Sequence, residues 1–464
     1  MIFENIFKID LLIQINQMIT NRKYQAFNLT NYEKIPEISQ LSAEDREAIE
    51  VVGRVLPFKT NNYVMEELID WNNIPNDPIF TLNFPRKEML LKRHYHSVLQ
   101  LMRTGVPEEI LKRKINRIRL ELNPNPADQK QNVPMLGDKK LDGIQHKYRE
   151  TVLFFPAQGQ TCHAYCTFCF RWTQFSGMQD LKFSMRDAGL LYKYLKSKQM
   201  VTDILFTGGD PLTMSTNILT AYIEPLLGKD FKHIRTIRLG TKSLAYWPYR
   251  FLTDRDSGEL LSFFEKIVKA GKNLTIQAHF NHPVELSTEA VKLAIAKIRA
   301  TGAQIRTQSP LLRKINDHPN LWSEMWRKQV DLSCIPYYMF VARDTGSKHF
   351  FELPLEKCWQ IYKKAYSRVS GTCRTVRGPS MSAHAGKIQI LGVAEINKDK
   401  HFVLRFLQGR NPDWIDIPFF AEYDPEATWF DQLKPSFGEE KFFFEKENKG
   451  YKYLNKCEGD VDWE

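Results

Sequence analysis

No run of 18 apolar residues occurs anywhere in the 464, so a membrane-spanning helix is not expected. An uninterrupted apolar core is also missing near the start, where Glu4, Lys8 and Asp10 break the pattern. That excludes a secretory signal, and a cytoplasmic protein with an amphipathic first helix is expected. Cysteine is scarce: there are seven, an odd number, and four of them are scattered. This is poor arithmetic for disulfides and better arithmetic for metal ligation in a reducing compartment. No internal repeat and no long low-complexity tract appears. Hydrophobic residues at 43% and charged residues at 26% exclude a largely disordered chain.

What is present in excess is positive charge. Lys and Arg number 65 against 54 Asp and Glu, a formal balance of +11. The excess is uneven, because residues 421–464 hold 12 acidic side chains against six basic ones. A basic body with an acidic end suits nucleic acid, a membrane surface or an anionic small ligand.

Residues 1–145 read as a mainly helical region. Arg86–Thr104 is one strong segment. Pro107–Leu122 is another, with Leu111, Ile115, Ile118 and Leu122 at helical spacing. The Lys and Arg between those positions read as a solvated face. Asn123–Gly137 is rich in Pro and Asn and marks a break. From about residue 150, apolar β-rich runs alternate with helical stretches. The runs are Thr151–Pro156, Asp203–Thr207, Ile234–Gly240, Asn273–Phe280, Gln304–Ser309 and Cys334–Val341. Six β–α units in succession predict an α/β fold with parallel strands, an open (β/α)6 TIM-like partial barrel over 146–345. Residues 346–420 would close it, and 421–464 would form an acidic, aromatic tail. Ligands collect where such strands give way to the following loops.

The first such loop reads Cys162-His-Ala-Tyr-Cys166-Thr-Phe-Cys169. Three thiolates spaced C-x3-C-x2-C can hold three irons of a [4Fe–4S] cluster and leave the fourth open. A zinc site would need a fourth protein ligand; His163 is present, at a cramped spacing. The second strand ends in Thr207-Gly208-Gly209-Asp210-Pro211, where glycines admit a close ligand and the acid can accept from an ammonium. A tight turn also wants these residues.

The cysteine spacing resembles that of the radical S-adenosylmethionine (SAM) superfamily. Further motifs are His279-Phe280-Asn281-His282-Pro283, the segment Gln308–Asp317, Pro336-Tyr337-Tyr338 and Ser347-Lys348-His349-Phe350. Together with Pro75-Asn-Asp-Pro78 and His146-Lys-Tyr-Arg149 they resemble the lysine 2,3-aminomutase family, over about residues 40–395. The resemblance implies an isomerase that moves an α-amino group to Cβ. It implies a [4Fe–4S] cluster on Cys162, Cys166 and Cys169, with SAM beside Gly208, Gly209, Asp210, His279 and Gln308. It also implies pyridoxal phosphate (PLP) joined to Lys387 in the segment Ala383-His384-Ala385-Gly386-Lys387. The bland alternative for Lys387 is a surface lysine entering a strand over Lys387–Val393.

In the family an Arg-Tyr-x-x-Arg segment binds the PLP phosphate. Lys147 and Tyr148 match its first two positions, Thr151 stands at its second arginine, and Arg149 is a substitute. Arg171 matches the arginine that clamps the substrate carboxylate. The two aspartates that hold a lysine side chain map onto Arg343, or Asp344 if the register slips, and onto Ser380. Family members that use glutamate carry a basic group at the first place, so an acidic or polar amino acid is the expected substrate. The family's C-terminal zinc cysteines are missing; only Cys457 occurs in that region. The expected partners are an amino acid and a flavodoxin- or ferredoxin-type electron donor. Membrane and nucleic acid are not expected, and a homo-oligomer stays open. A SAM-dependent enzyme without PLP, and an iron–sulfur or zinc protein that binds nucleic acid, remain as alternatives.

Overall fold

The computed structural model describes residues 22–123 and 132–446. The expected first helix and Cys457 lie outside the described residues. Among those described, no helix is long and apolar enough to cross a membrane.

The N-terminal region is helical, as its periodicity requires, over Ala43–Val55, Pro78–Asn83, Lys92–Arg103 and Glu108–Glu121. Ser42 caps the first of these by accepting from the Asp45 amide at 3.0 Å, which satisfies one orphan N–H of the first turn. In Glu108–Glu121 the apolar Leu111, Ile115 and Ile118 are buried, while Lys112, Arg113 and Arg117 stay exposed. Two short strands, β1 (Ala26–Asn28) and β2 (Lys59–Asn61), pair antiparallel within this region. A second small hairpin joins β3 (Met135–Leu136) to β4 (Lys139–Lys140).

One sheet of 11 strands organises the rest. It runs in chain order from β5 (Ile144–Tyr148) through β6 (Thr151–Phe154), β7 (Asp203–Phe206), β8 (Thr236–Thr241), β9 (Asn273–His279), β10 (Gln304–Leu311) and β11 (Ile335–Val341). It continues through β12 (Arg377–Ser382), β13 (Gly386–Ile396), β14 (Asp399–Gly409) and β15 (Pro418–Glu422). Neighbours from β6 to β12 are parallel. β5 and β13–β15 add antiparallel margins. Six helices follow β6 to β11: Ala188–Lys196, Thr216–Ile223, Ser257–Lys269, Glu289–Ala300, Pro319–Asp331 and Leu355–Tyr366. The expected six β–α units are present. The sixth helix returns to a seventh parallel strand, β12, which the sequence reading had not separated from the segment after it.

The sheet curls without closing, since β5 and β15 do not pair. Side-chain bonds join distant segments instead. Lys147 on β5 donates to the Ala383 carbonyl just after β12, and Trp172 Nε1 donates to Thr345 Oγ1 at 3.1 Å. Along β8 and β10 buried residues alternate with half-buried ones. Period-two alternation means opposite faces. The buried set packs against the helices, and the half-buried set lines a hollow that water reaches.

The last described segment is body and not tail. Phe419, Phe430, Phe442 and Phe444 are buried, with Phe442 and Phe444 stacked at 5.5 Å. The acidic residues of 421–446 lie around this aromatic cluster. Burying large apolar rings contributes about 1.5–3 kcal/mol each, which outweighs the mild repulsion of exposed acids.

Candidate active site

The cysteine loop follows β6 and is held from both sides. The N-terminal region grips its backbone: Tyr165 N donates to Lys59 O at 2.7 Å and Thr167 N to Leu82 O at 2.9 Å. Lys59 Nζ donates to Cys162 O at 2.7 Å, and Tyr24 OH to His163 O at 2.6 Å. On the other side lie Gly208, at φ +140°, and Gly209. A Cβ on the first would overlap the Gln160 side chain, and on the second the Thr161 backbone. The glycines therefore admit the cysteine loop itself. Asp210 completes the joint. Its carboxylate accepts from Leu212 N (2.9 Å), Thr241 Oγ1 (2.7 Å), Lys242 N (2.9 Å) and Ser243 Oγ (3.0 Å). Four donors fill the capacity of a carboxylate, and the Asp210 amide donates to Gly159 O and Thr161 O at 3.1 and 2.6 Å, so Asp210 ties the loops after β6, β7 and β8 together. The acceptor still open here is Gln160 Oε1, buried and with no donor among the described residues.

Cys162, Cys166 and Cys169 are all half-buried in this joint. Desolvation raises all three thiols, Cys169 to about 12. Such thiols ionise only beside a strong positive centre, which an iron cluster supplies. His163 Nδ1 meets Ser243 Oγ at 3.0 Å. Among the described residues, no three His, Cys, Asp or Glu side chains converge as a single metal ion requires. The residues fit a cluster better than a mononuclear zinc.

Sequence reasoning passed over the group behind Cys166. Its Sγ lies 3.6 Å from the hydroxyl of the fully buried Tyr246. Lys242 Nζ sits 4.3 Å from that ring and pairs with the buried Glu285 at 2.6 Å. The clue was faint: Lys242 and Tyr246 belong to a short helix, Ser243–Tyr246, and its flank inside the loop after β8. Across the hollow, His279 at the end of β9 meets the Gln308 amide. Gln308 Oε1 in turn accepts from Gln277 Nε2 at 3.0 Å. Burial lowers His279 to about 3, with Lys242 and Arg171 adding to the effect, so it is neutral at pH 7. Gln277 Oε1 is a second buried acceptor without a donor among the described residues.

Lys387 is the second residue of β13 and half-buried. It is not the surface lysine of the bland alternative. Its Nζ lies 3.8 Å from the centre of the Tyr338 ring and 5.4 Å from that of Phe340. Burial, reinforced by Arg238 and Arg377 against Tyr337, lowers it from 10.5 to about 7. An amine near neutrality is what carbonyl capture needs. Lys147 reaches the same neighbourhood through Ala383, Tyr148 lies under its amine at 5.8 Å, and Arg149 is exposed.

Arg171 and Arg343 share the Phe170 ring, at 5.0 and 5.9 Å. Arg171 is half-buried and donates to Thr207 Oγ1 at 3.3 Å. Burial lowers it to about 10, and Arg343 is among the causes. Arg343 does not point to solvent. Its side chain is 16% exposed, 3.7 Å from Asp344, over Trp429 at 5.2 Å and bonded to the Ser382 carbonyl. Ser380 is fully buried, with its hydroxyl turned to Met339 O at 3.4 Å.

Three thiols on the first loop of an open parallel barrel, with an amine near neutrality across the hollow, define a radical SAM type of enzyme. No family model matches the chain. A protein of Aquifex aeolicus (strain VF5) named "Putative L-lysine 2,3-aminomutase" is 30% identical over 394 residues, 85% of this chain and 92% of that one. The L-lysine 2,3-aminomutase of Clostridium subterminale is 27% identical over 275 residues, 59% of this chain and 62% of its own. The glutamate 2,3-aminomutase of Clostridioides difficile (strain 630) is 26% identical over 335 residues, 71% and 67% of the two chains. A solved radical SAM methyltransferase from Sphaerobacter thermophilus, 14% identical, covers 50% of this chain and 68% of its own at a TM-score of 0.36, too low to argue from. The chain belongs to the lysine 2,3-aminomutase family. It is an isomerase of the radical SAM type, and its family uses a [4Fe–4S] cluster, SAM and PLP.

Proposed function

We propose that the chain is a PLP-dependent 2,3-aminomutase acting on an acidic or polar α-amino acid and not on lysine. The carrying observation is the pair Arg171 and Arg343, both within 6 Å of the Phe170 ring centre at 5.0 and 5.9 Å. Two guanidiniums at one ring suit a substrate with two carboxylates, one clamped by Arg171 and the distal one by Arg343. A lysine side chain would instead bring an ammonium against Arg343, and such like-charge contact costs several kcal/mol. The glutamate 2,3-aminomutase among the relatives supports the same direction.

Cys162, Cys166 and Cys169 hold the cluster. SAM lies beside Gly208, Gly209, the open Gln160 Oε1, His279 and Gln308. Lys387 holds PLP. When bound, the cluster with SAM supplies a 5′-deoxyadenosyl radical that removes a Cβ hydrogen, and PLP supplies the ring over which nitrogen migrates. The chain's own residues fix the reacting atoms and exclude other hydrogen donors. Lys387 enters with a free electron pair far more readily than an ordinary lysine, because burial lowers its amine to about 7. Neutral His279 adds no charge beside the radical path.

The test is anaerobic incubation of reconstituted protein with SAM, PLP, reductant and a panel of amino acids, read by mass spectrometry with chiral standards. A β-amino acid from an acidic or polar substrate and none from lysine is the expected result. Turnover of lysine alone refutes the substrate assignment. Turnover that neither needs PLP nor is lost in Lys387→Ala refutes the PLP role.

A further inference from the structure

We propose that Arg238, half-buried Arg306 and the exposed Arg377 form an anion site beside Lys387 that takes the phosphate of PLP, in place of the segment around Lys147–Arg149. The inference rests on the PLP reading above. The three arginines come from three strands, β8, β10 and β12; Arg306 and Arg377 meet at the Tyr337 ring, and the Arg238 charge acts on both Tyr337 and Lys387. Arg306 and Arg377 each lie 5.0 Å from the centre of Tyr337. Arg377 is also 5.8 Å from the centre of Tyr338 and 3.5 Å from its hydroxyl. Lys387 Nζ stands 3.8 Å from that same Tyr338 ring.

Among the described residues one carboxylate answers these charges. Asp203 accepts from Arg238 at 2.8 and 2.6 Å. Among the described residues neither Arg306 nor Arg377 forms an ion pair. A half-enclosed hollow with three guanidiniums, an amine and one acid is short of negative charge. Guanidinium forks fit phosphate oxygens two at a time. Pyridoxal phosphate carries its aldehyde and its phosphomethyl group on adjacent ring carbons. Once Lys387 has captured the aldehyde, the phosphate must lie close to that amine, which is where the arginines are.

The alternative segment is otherwise engaged. Lys147 donates to the Ala383 carbonyl. Thr151 stands where the family's second phosphate arginine is expected. Its hydroxyl donates to Asp203 at 3.1 Å, so it supports the Asp203–Arg238 pair. Loss of an arginine at one strand edge is matched by a supported arginine inside the barrel.

The experiment titrates the apo-protein with PLP and, separately, with pyridoxal, following the visible absorption of the lysine-bound cofactor. Pyridoxal shares the aldehyde chemistry and lacks the phosphate. Arg377→Ala and Arg306→Ala are each expected to raise the half-saturating PLP concentration about tenfold or more, with little change for pyridoxal. Thermal melts verify the fold, and the two variants lie on different strands, so one unfolded variant leaves the other as a reading. Unchanged PLP binding in both variants overturns the inference. So does an equal loss for PLP and pyridoxal, or a phosphate-specific loss carried by Lys147→Ala alone. No absorption with PLP in the wild type overturns the PLP reading and this inference together. Absorption in the wild type with unaffected arginine variants overturns this inference alone.

Discussion

Lys387 offers a measurement that needs no loaded enzyme. Its amine falls from 10.5 to about 7, mainly through burial. One pKa unit is about 1.36 kcal/mol. Between pH 10.5 and 7 the unfolded chain therefore binds a proton that the folded chain does not. Stability rises with pH wherever the unfolded state binds more protons. The apo-protein thus loses stability as pH falls from about 10.5 to about 7, and loses no more below. Integrated, the penalty is ~4 kcal/mol at pH 7 and ~1 kcal/mol at pH 10. These are ceilings, because water reaches the hollow. The ammonium form gains about 1–2 kcal/mol from the Tyr338 ring, so desolvation still wins. Lys387→Met keeps the length and removes the charge. Apo Lys387→Met is expected to melt a few degrees above wild type at pH 7, with most of the difference gone at pH 10. An equal gain at both pH values, or a loss at pH 7, refutes the reasoning.

Cys166→Ala should keep the fold and lower iron and sulfide after reconstitution, read by elemental analysis and by the cluster's visible absorption. Gly209→Ala forces a Cβ into the Thr161 backbone; because backbone cannot step aside cheaply, a loss of more than about 2 kcal/mol and poor cluster uptake are expected in denaturation and iron assays. Asp210→Asn keeps the shape and turns an acceptor into a donor facing Thr241, Lys242 and Ser243; a stability loss of about 1–3 kcal/mol is expected in urea melts. Arg343→Ala should lower kcat/KM for an acidic substrate about 10- to 100-fold and affect a neutral analogue far less; equal losses on both refute a distal-carboxylate role.

The alternating runs of β-rich and helical sequence were enough to place the barrel. Each strand of the six units lies within a few residues of its β-rich run, because a parallel sheet under helices demands that alternation. The cysteines were legible for the same reason, since their chemistry depends on local spacing within one loop. Other assignments depended on which distant segments meet. The acid in Gly208-Gly209-Asp210 reads as a ligand contact from spacing, yet it accepts from its own turn and from three donors at the end of β8 and just after it, which makes it a structural joint. Residues 421–446 read as an acidic tail by charge, and their aromatic rings packed them into the body.

Lys387 shows the division most clearly. Its sequence neighbours, Gly386 and Ile388, allow a surface lysine equally well, and nothing local sets its pKa. Only the curl of the sheet puts Tyr338, Arg238 and Arg377, separated by up to 149 positions from that lysine, around one amine. The sequence alone determined the order of elements, the three thiols and the presence of surplus positive charge. The tertiary structure decided where that charge is concentrated. Desolvation and Coulomb attraction depend on distance and exposure, and neither is a property of position along a chain.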